Sequence, residues 1–180
     1  MSKMRSLDYE LLWELIKDSR RSDRQLAKAL NSSQPTVTRK RMKLEKEVLS
    51  GYTALPKWNE IGFELVAFTF IKSRAKYGRD KERERALKST KEWLTGQPNV
   101  IVALSGQGMG WDGLCVSMHK SYSDYADFMR KHDMALSDYI IESQSFIADI
   151  SPGLVMKPFH FKYLAKAGEQ ESKKEKQVKF

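Results

Sequence analysis

Cysteine is nearly missing from this chain: Cys115 is the only one in 180 residues. A lone thiol excludes an internal disulfide framework and any zinc site built on several thiolates, and it suits a reducing compartment. Histidine is almost as scarce. His119, His132 and His160 fall at no helical or clustered spacing, so no metal site is expected. Long hydrophobic runs are lacking as well. The longest, Leu65-Val-Ala-Phe-Thr-Phe-Ile71, covers about a third of a membrane span, and no apolar stretch follows Met1–Ser6 as a secretory signal requires. No Gly-x-Ser-x-Gly elbow places a nucleophile. The expectation is a cytoplasmic protein without cofactor, catalytic residue or membrane partner, long enough to bury one or two small cores.

Positive charge is what the chain has in excess, with 32 Lys and Arg against 23 Asp and Glu, a net +9. Residues 1–60 hold 13 basic and 8 acidic side chains, residues 61–150 hold 12 of each, and residues 151–180 hold 7 and 3. The whole surplus therefore lies at the two ends. A neutral middle between basic ends argues for a partner-binding head, a separate neutral domain and a basic tail, although surplus lysines also aid solubility.

In the head, Tyr9, Leu12, Trp13 and Ile16 recur at i, i+3, i+4 and i+7, with Leu11 and Leu15 widening the stripe. This predicts an amphipathic helix from about Asp8 to Asp18. Ser22-Asp-Arg-Gln25 forms a capping box, opening a short helix that buries Leu26, Ala27 and Leu30. Asn31-Ser32-Ser33 breaks that helix and caps a third one from about Gln34 to Glu47. Pro35 is tolerated in its first turn, and Val37, Leu44 and Val48 form its inner face.

Two helices joined by a tight polar turn, the second dense in cations, make a helix-turn-helix. The third helix carries Arg39, Lys40, Arg41, Lys43 and Lys46, and its first turn offers Ser33, Gln34, Thr36 and Thr38. Short polar side chains at a helix start reach base edges in the major groove, while cations behind them neutralise phosphates. Gln34, Thr36, Thr38 and Arg39 are the expected base-edge readers, and Lys40, Lys43 and Lys46 the expected phosphate ligands. The competing possibility is a solvated basic face on an ordinary helix.

Leu26-Ala-Lys-Ala-Leu30, Ser33-Gln-Pro-Thr-Val37, Arg39-Lys-Arg41, Leu44-Glu45 and Leu49-Ser-Gly-Tyr-Thr-Ala54 together resemble the Lrp/AsnC (feast/famine) transcription regulators in order and spacing. The resemblance implies a winged helix-turn-helix over residues 1–56, in which Gly51-Tyr52-Thr53 enters the wing strand and adds contacts to DNA. Leu55-Pro-Lys-Trp58 and Ile61-Gly62 look like that family's hinge, here residues 57–62. Two positions depart from the pattern. The glycine usual before the wing is missing, because Glu47 runs directly into Val48. Arg41 also stands where an aliphatic residue is usual; either its stem lies along the core edge or Met42 takes over the packing.

Residues 63–150 read as a βαββαβ series. Phe63–Lys72, Asn99–Ser105, Leu114–His119 and Tyr139–Ile150 are strand-like. Asp80–Thr95 is a helix with Ala86, Leu87, Thr90 and Leu94 inside, and Tyr122, Tyr125, Ala126 and Met129 mark another. The fold class is therefore α+β, a winged helix-turn-helix followed by a ferredoxin-like sandwich with two helices on one sheet face. The bare face predicts a homodimer. The resemblance makes this the family's RAM-type domain, which dimerises through its sheets, often builds octamers and binds small effectors, commonly amino acids.

Gly106-Gln-Gly-Met-Gly-Trp-Asp-Gly113 joins the two central strands. It leads into a strand, not a helix, so it is no dinucleotide fingerprint. The family's corresponding Gly-x-x-Asp turn lies at the effector and assembly interface, which implies Gly106, Gly108, Gly110 and Asp112 as effector residues. A flexible hairpin loop is the plain alternative. Cys115 is expected to pack as a small hydrophobe, and Trp93 and Trp111 to be packing residues. In the 151–180 tail, Leu154–Leu164 is apolar enough to pack back on the domain or its partner. From about Gly168 the chain reads as disordered, either adding nonspecific attraction to DNA or serving as a solvated end.

The expected function is thus a sequence-specific regulator that binds double-stranded DNA as a dimer or higher oligomer, nucleoid-associated, with two heads about 10 bp apart. At about four phosphates per head, the log-log salt slope is near −7. Two alternatives share the fold or the charge. A siroheme-decarboxylase-like enzyme needs a His- and Arg-lined pocket, and no such cluster stands in the sequence. A nucleoid-architectural protein binds DNA without sequence preference.

Overall fold

The computed structural model describes residues 4–74 and 80–168. The chain forms two compact units, one from Met1–Leu55 with Pro158–Phe180 and one from Pro56–Lys157.

The first unit is built on α1 (Ser6–Lys17), α2 (Asp23–Ala29) and α3 (Gln34–Glu47). Each helix begins where a local acceptor satisfies its free amides. The Asp8 carboxylate accepts the Arg5 amide at 2.9 Å, which starts α1 two residues earlier than the apolar stripe predicts. The Ser22/Gln25 capping box closes both ways, with the Ser22 amide donating to Gln25 Oε1 at 2.8 Å and the Gln25 amide to Ser22 Oγ at 3.3 Å. Ser33 Oγ accepts the Thr36 amide at 3.4 Å, with Pro35 in the first turn. Leu11, Leu15, Leu26, Ala27, Val37 and Leu44 form the core between these helices.

Val48 is not in that core but 45% exposed. The helix ends in a wide turn, in which the amides of Val48 and Leu49 both donate to the Leu44 carbonyl, so Leu49 swings inward instead. Residues 49–57 carry no strand. The wing expected at Gly51-Tyr52-Thr53 is an irregular segment, because a strand needs a ladder partner and none pairs with it among the described residues. The wide apolar stripe of α1 also has a reason. Leu11 and Leu15 face the three-helix core, whereas Trp13 serves a second contact. A last helix, α6, takes in residues 162–168 with Ala165 and Gly168 buried. It approaches so closely that a Cβ on Gly168 would lie 2.4 Å from the Trp13 ring. The tail thus meets the head through residues 165–168, whereas the apolar stretch Leu154–Leu164 expected to pack back stays largely exposed, Met156 and Phe159 included. The disorder expected from Gly168 onward otherwise concerns residues 169–180, which lie outside the described residues.

The second unit opens with a 3-10 turn (Trp58–Ile61) closed by left-handed Gly62. The order β1 (Leu65–Ser73), α4 (Asp80–Thr95), β2 (Val100–Gly108), β3 (Trp111–His119), α5 (Tyr122–Leu136) and β4 (Ile140–Asp149) follows. The sheet order is β2-β3-β1-β4 with antiparallel neighbours, the ferredoxin-like arrangement. Ile71, Cys115 and Phe128 form its core with Trp93, Leu94, Val100, Met129 and Ile140 around them. Burial pushes the Cys115 thiol up to about 11, so it packs as a hydrophobe. Trp111 packs on Phe70, with ring centroids 6.2 Å apart.

Two helical stripes differ from their expected positions. On α5, Tyr122 is exposed, and the buried positions are Phe128, His132 and Leu136, one stripe further round. On α4, Leu87 is half exposed and faces a groove instead of the core. The glycine-rich joint differs more. β2 runs to Gly108 and β3 starts at Trp111, so the eight-residue loop contracts to a two-residue turn, Met109-Gly110, with φ of 49° and 84°. Both residues need positive φ, as a tight hairpin turn with the twist of its strands demands.

Candidate nucleic-acid interface

Five cations on one helix cannot all face the same way. At 100° per residue, Val37, Lys40, Arg41 and Leu44 share the inner stripe of α3, while Thr36, Arg39, Lys43 and Lys46 share the outer one. The helix follows that division.

On the inner stripe each cation meets a carboxylate. Lys40 Nζ pairs with Asp8 of α1, whose residue is 5% exposed. Burial disfavours the Asp8 charge, but hydrogen bonds from Lys40 and the Arg5 amide, with the Lys40 and Lys43 charges, outweigh it and hold the carboxyl below its usual range. Arg41 reaches further. Nη1 donates to Asp23 Oδ1 at 3.1 Å and to the Arg21 carbonyl at 3.2 Å, Nη2 to the Ser19 carbonyl at 3.3 Å, and Nε to Glu45 Oε1 at 3.0 Å. Its guanidinium lies 5.6 Å from the Tyr52 ring centroid, and the Tyr52 hydroxyl donates to the same Glu45 oxygen at 2.9 Å. Asp23 also accepts from Thr38 Oγ1 at 2.6 Å, and its carboxyl is held low by that hydrogen bond and by Arg41. Met42 is 64% exposed and does not substitute in the core. Thr38, Lys40 and Arg41 thus brace α3 against α1 and α2.

On the outer stripe the picture reverses. Arg39, Lys43 and Lys46 are exposed. Among the described residues neither Arg39 nor Lys46 makes an ion pair, and Lys43 lies 3.8 Å from Glu47 on the surface. Gln34 is exposed at the helix start. Ser33 and Thr36 share a hydroxyl–hydroxyl contact of 2.8 Å beside it, and each hydroxyl keeps capacity for another partner. Of the nine residues expected at DNA, six therefore share the outer surface (Ser33, Gln34, Thr36, Arg39, Lys43 and Lys46). Thr38 and Lys40 turn inward and Tyr52 is tied to Glu45. The inward pairs were not visible in the sequence because Asp8–Lys40 and Asp23–Arg41 bring together positions 32 and 18 residues apart.

A winged helix-turn-helix DNA-binding family matches residues 4–47. Over 102 residues the chain is 34% identical to an uncharacterized HTH-type transcriptional regulator of Pyrococcus abyssi, a stretch covering 53% of this chain and 68% of that one. Two solved structures share the fold of both units. One is an AsnC family transcriptional regulator from Agrobacterium tumefaciens, with a TM-score of 0.72, 21% identity, and coverage of 89% of this chain and 99% of that one. The other is a Neisseria meningitidis transcriptional regulator in complex with L-Met, with a TM-score of 0.72, 19% identity, and coverage of 88% and 94%.

The chain belongs to the HTH-type transcriptional regulators and has the Lrp/AsnC fold.

In this HTH-type regulator the four residues expected at an effector lie on the β2–β3 hairpin. Gly106 and Gly108 are in β2, Gly110 is in the turn, and Asp112 is in β3 with Oδ2 accepting the Ser73 amide at 3.0 Å. Beside the hairpin a groove of about 960 Å³ opens between α4 and β2, with Ile71, Leu94 and Val100 among its apolar walls and Gly106 and Asp112 at its lining. His119 and His132 are buried elsewhere in the same unit. His119 is bonded to Ser117 at 2.8 Å, and His132 Nδ1 lies 2.9 Å from Asp133 Oδ1. No helix among the described residues is long and apolar enough to cross a membrane.

Proposed function

We propose that this transcriptional regulator binds double-stranded DNA in a sequence-specific manner as a dimer, through the outer stripe of α3. The observation that carries the reading is the division of that helix, in which three exposed cations stand behind an exposed polar first turn. Gln34, Thr36 and Arg39 read base edges, with Ser33 beside them. Lys43 and Lys46 neutralise phosphates, and the backbone near Gly51 and Tyr52 adds contacts. Lys40 and Thr38 leave the set of direct DNA ligands, because each is committed to a carboxylate of the head.

Dimerisation is supported by the uncovered sheet face, where Val102, Leu104 and Phe146 are 39%, 60% and 65% exposed. A small effector, an amino acid by analogy with the L-Met complex of the Neisseria relative, binds the second unit near the hairpin, and the groove beside Asp112 supports that placement. Octamers and association with the nucleoid extend the same reading, and it assigns the chain no catalysis. Titration of labelled DNA fragments selected from the chain's own genome, against random fragments and across a salt series, tests it. Tighter binding to selected fragments supports it. Equal binding to every fragment favours an architectural protein.

A further inference from the structure

The end of α3 lacks the left-handed cap that ordinarily sets how a chain leaves a helix. Val48 has φ −128° and ψ −42°, and the turn is closed by the Val48 and Leu49 amides, both on the Leu44 carbonyl, at 2.9 and 2.8 Å. Nothing in that turn fixes the course of residues 50–54, and no strand ladder holds them. Yet Tyr52 has a defined place. Its hydroxyl donates to Glu45 Oε1, and its ring lies under the Arg41 guanidinium. Arg41 itself is anchored at three further points, Asp23 and the carbonyls of Ser19 and Arg21.

The geometry points to Arg41 as the positioning residue for the wing. Its planar fork joins the start of α2, the turn before it, the middle of α3 and the wing segment at one point, so the wing's angle is set from the helix-turn-helix by side chains instead of by a strand pair. A guanidinium suits this task because five donors in a fixed plane serve several acceptors at once, where an ammonium is a single point charge. Only 20% of the Arg41 side chain is exposed, and its partners occupy the donors a phosphate needs. Arg41 therefore acts on DNA through Tyr52 and its neighbours, without touching it.

This inference rests on the DNA-binding reading above, and its test separates the two. Arg41→Ala, Arg41→Lys and Tyr52→Phe in the full chain are compared with wild type by salt-dependent DNA binding and by backbone amide exchange. Both Arg41 variants should lose about tenfold in affinity, the equivalent of ordering roughly one extra backbone residue on binding. Their log-log salt slope should stay that of wild type, and amides 50–54 should exchange faster while those of Leu11 and Leu44 stay protected. Tyr52→Phe, which removes the hydroxyl's bonds to Glu45 and Arg41 but keeps the ring, should shift both readouts in the same direction by less. A slope reduced by about 0.9 per head would make Arg41 a direct phosphate ligand and overturn the proposal. Wing exchange unchanged in the Arg41 variants, or full affinity retained by Arg41→Lys, also overturns it. Should Arg41→Ala not fold, the other two variants carry the test. Wild-type protein that ignores DNA defeats the functional reading, and amide exchange then still decides the positioning role.

Discussion

The two faces of α3 carry the same kind of residue and do opposite things with it. On the inner face Lys40 and Arg41 are paired with Asp8, Asp23 and Glu45 and hold three helices at fixed angles. On the outer face Arg39 and Lys46 meet no carboxylate among the described residues, and Lys43 has a surface contact at 3.8 Å. The difference comes from where the acids lie. The charge surplus of the head is not spread over its surface but divided by a helix whose period is 3.6, so net charge overstates how many cations await a partner.

Truncating an apolar member of the inner face should cost most. Leu44 is 2% exposed in the core, and Leu44→Ala should lower unfolding stability by about 2–5 kcal/mol in a denaturant titration. Asp8→Ala comes next, at about 1–3 kcal/mol, because it strands Lys40 beside a buried site. Adding Lys40→Met should recover part of that loss, and a double-mutant cycle showing no coupling would remove the brace from the account.

Acid should distinguish the two units. Asp8 and Asp23 have carboxyls held below their ordinary range, so the unfolded chain takes up protons first. The stability they add is present above about pH 4 and is lost as pH falls through their lowered values. His119 is fully buried, and its pKa is pushed below the ordinary 6.5 by burial, against the pull of Asp124. Only the unfolded state gains its proton just below 6.5, so the second unit should weaken from there downward, by at most about 1.4 kcal/mol per pH unit. Amide exchange followed from pH 7 to 5 should show strands β1 and β3 losing protection while α1–α3 keep theirs, and His119→Gln should flatten that trend. The smallest effect belongs to the outer face. Glu47→Gln should change stability by less than about 0.5 kcal/mol, as an exposed ion pair does, while slightly strengthening DNA binding by removing a negative charge beside Lys43.

Much of this fold is legible in the residues because its signals are local. Ser22 with Gln25, and Ser33 with Pro35, set helix starts within four positions. What was hidden depends on distance along the chain. The bracing acids are 15–32 positions from their partners. Trp13 looked like core and instead receives α6, contributed by the far end of the sequence. The hairpin was hidden for a different reason. Methionine at positive φ is no turn signature, and glycines in an edge strand read as loop. On α3, composition located the cations, but only its helical phase against α1 and α2 separates those that brace the head from those left on the outer face.

That separation is measurable in one experiment, the slope of log affinity against log salt for DNA binding by wild type, by Lys40→Met and by the triple Arg39→Ala/Lys43→Ala/Lys46→Ala. Two outer phosphate ligands, Lys43 and Lys46, on each of two heads contribute about −4 to the wild-type slope, less steep than the −7 expected for four per head. Lys40→Met should keep the wild-type slope, and the triple variant should lose most of it. Equal flattening in Lys40→Met and in a single outer-face variant such as Lys46→Ala would contradict the division of α3 into a bracing face and a binding face.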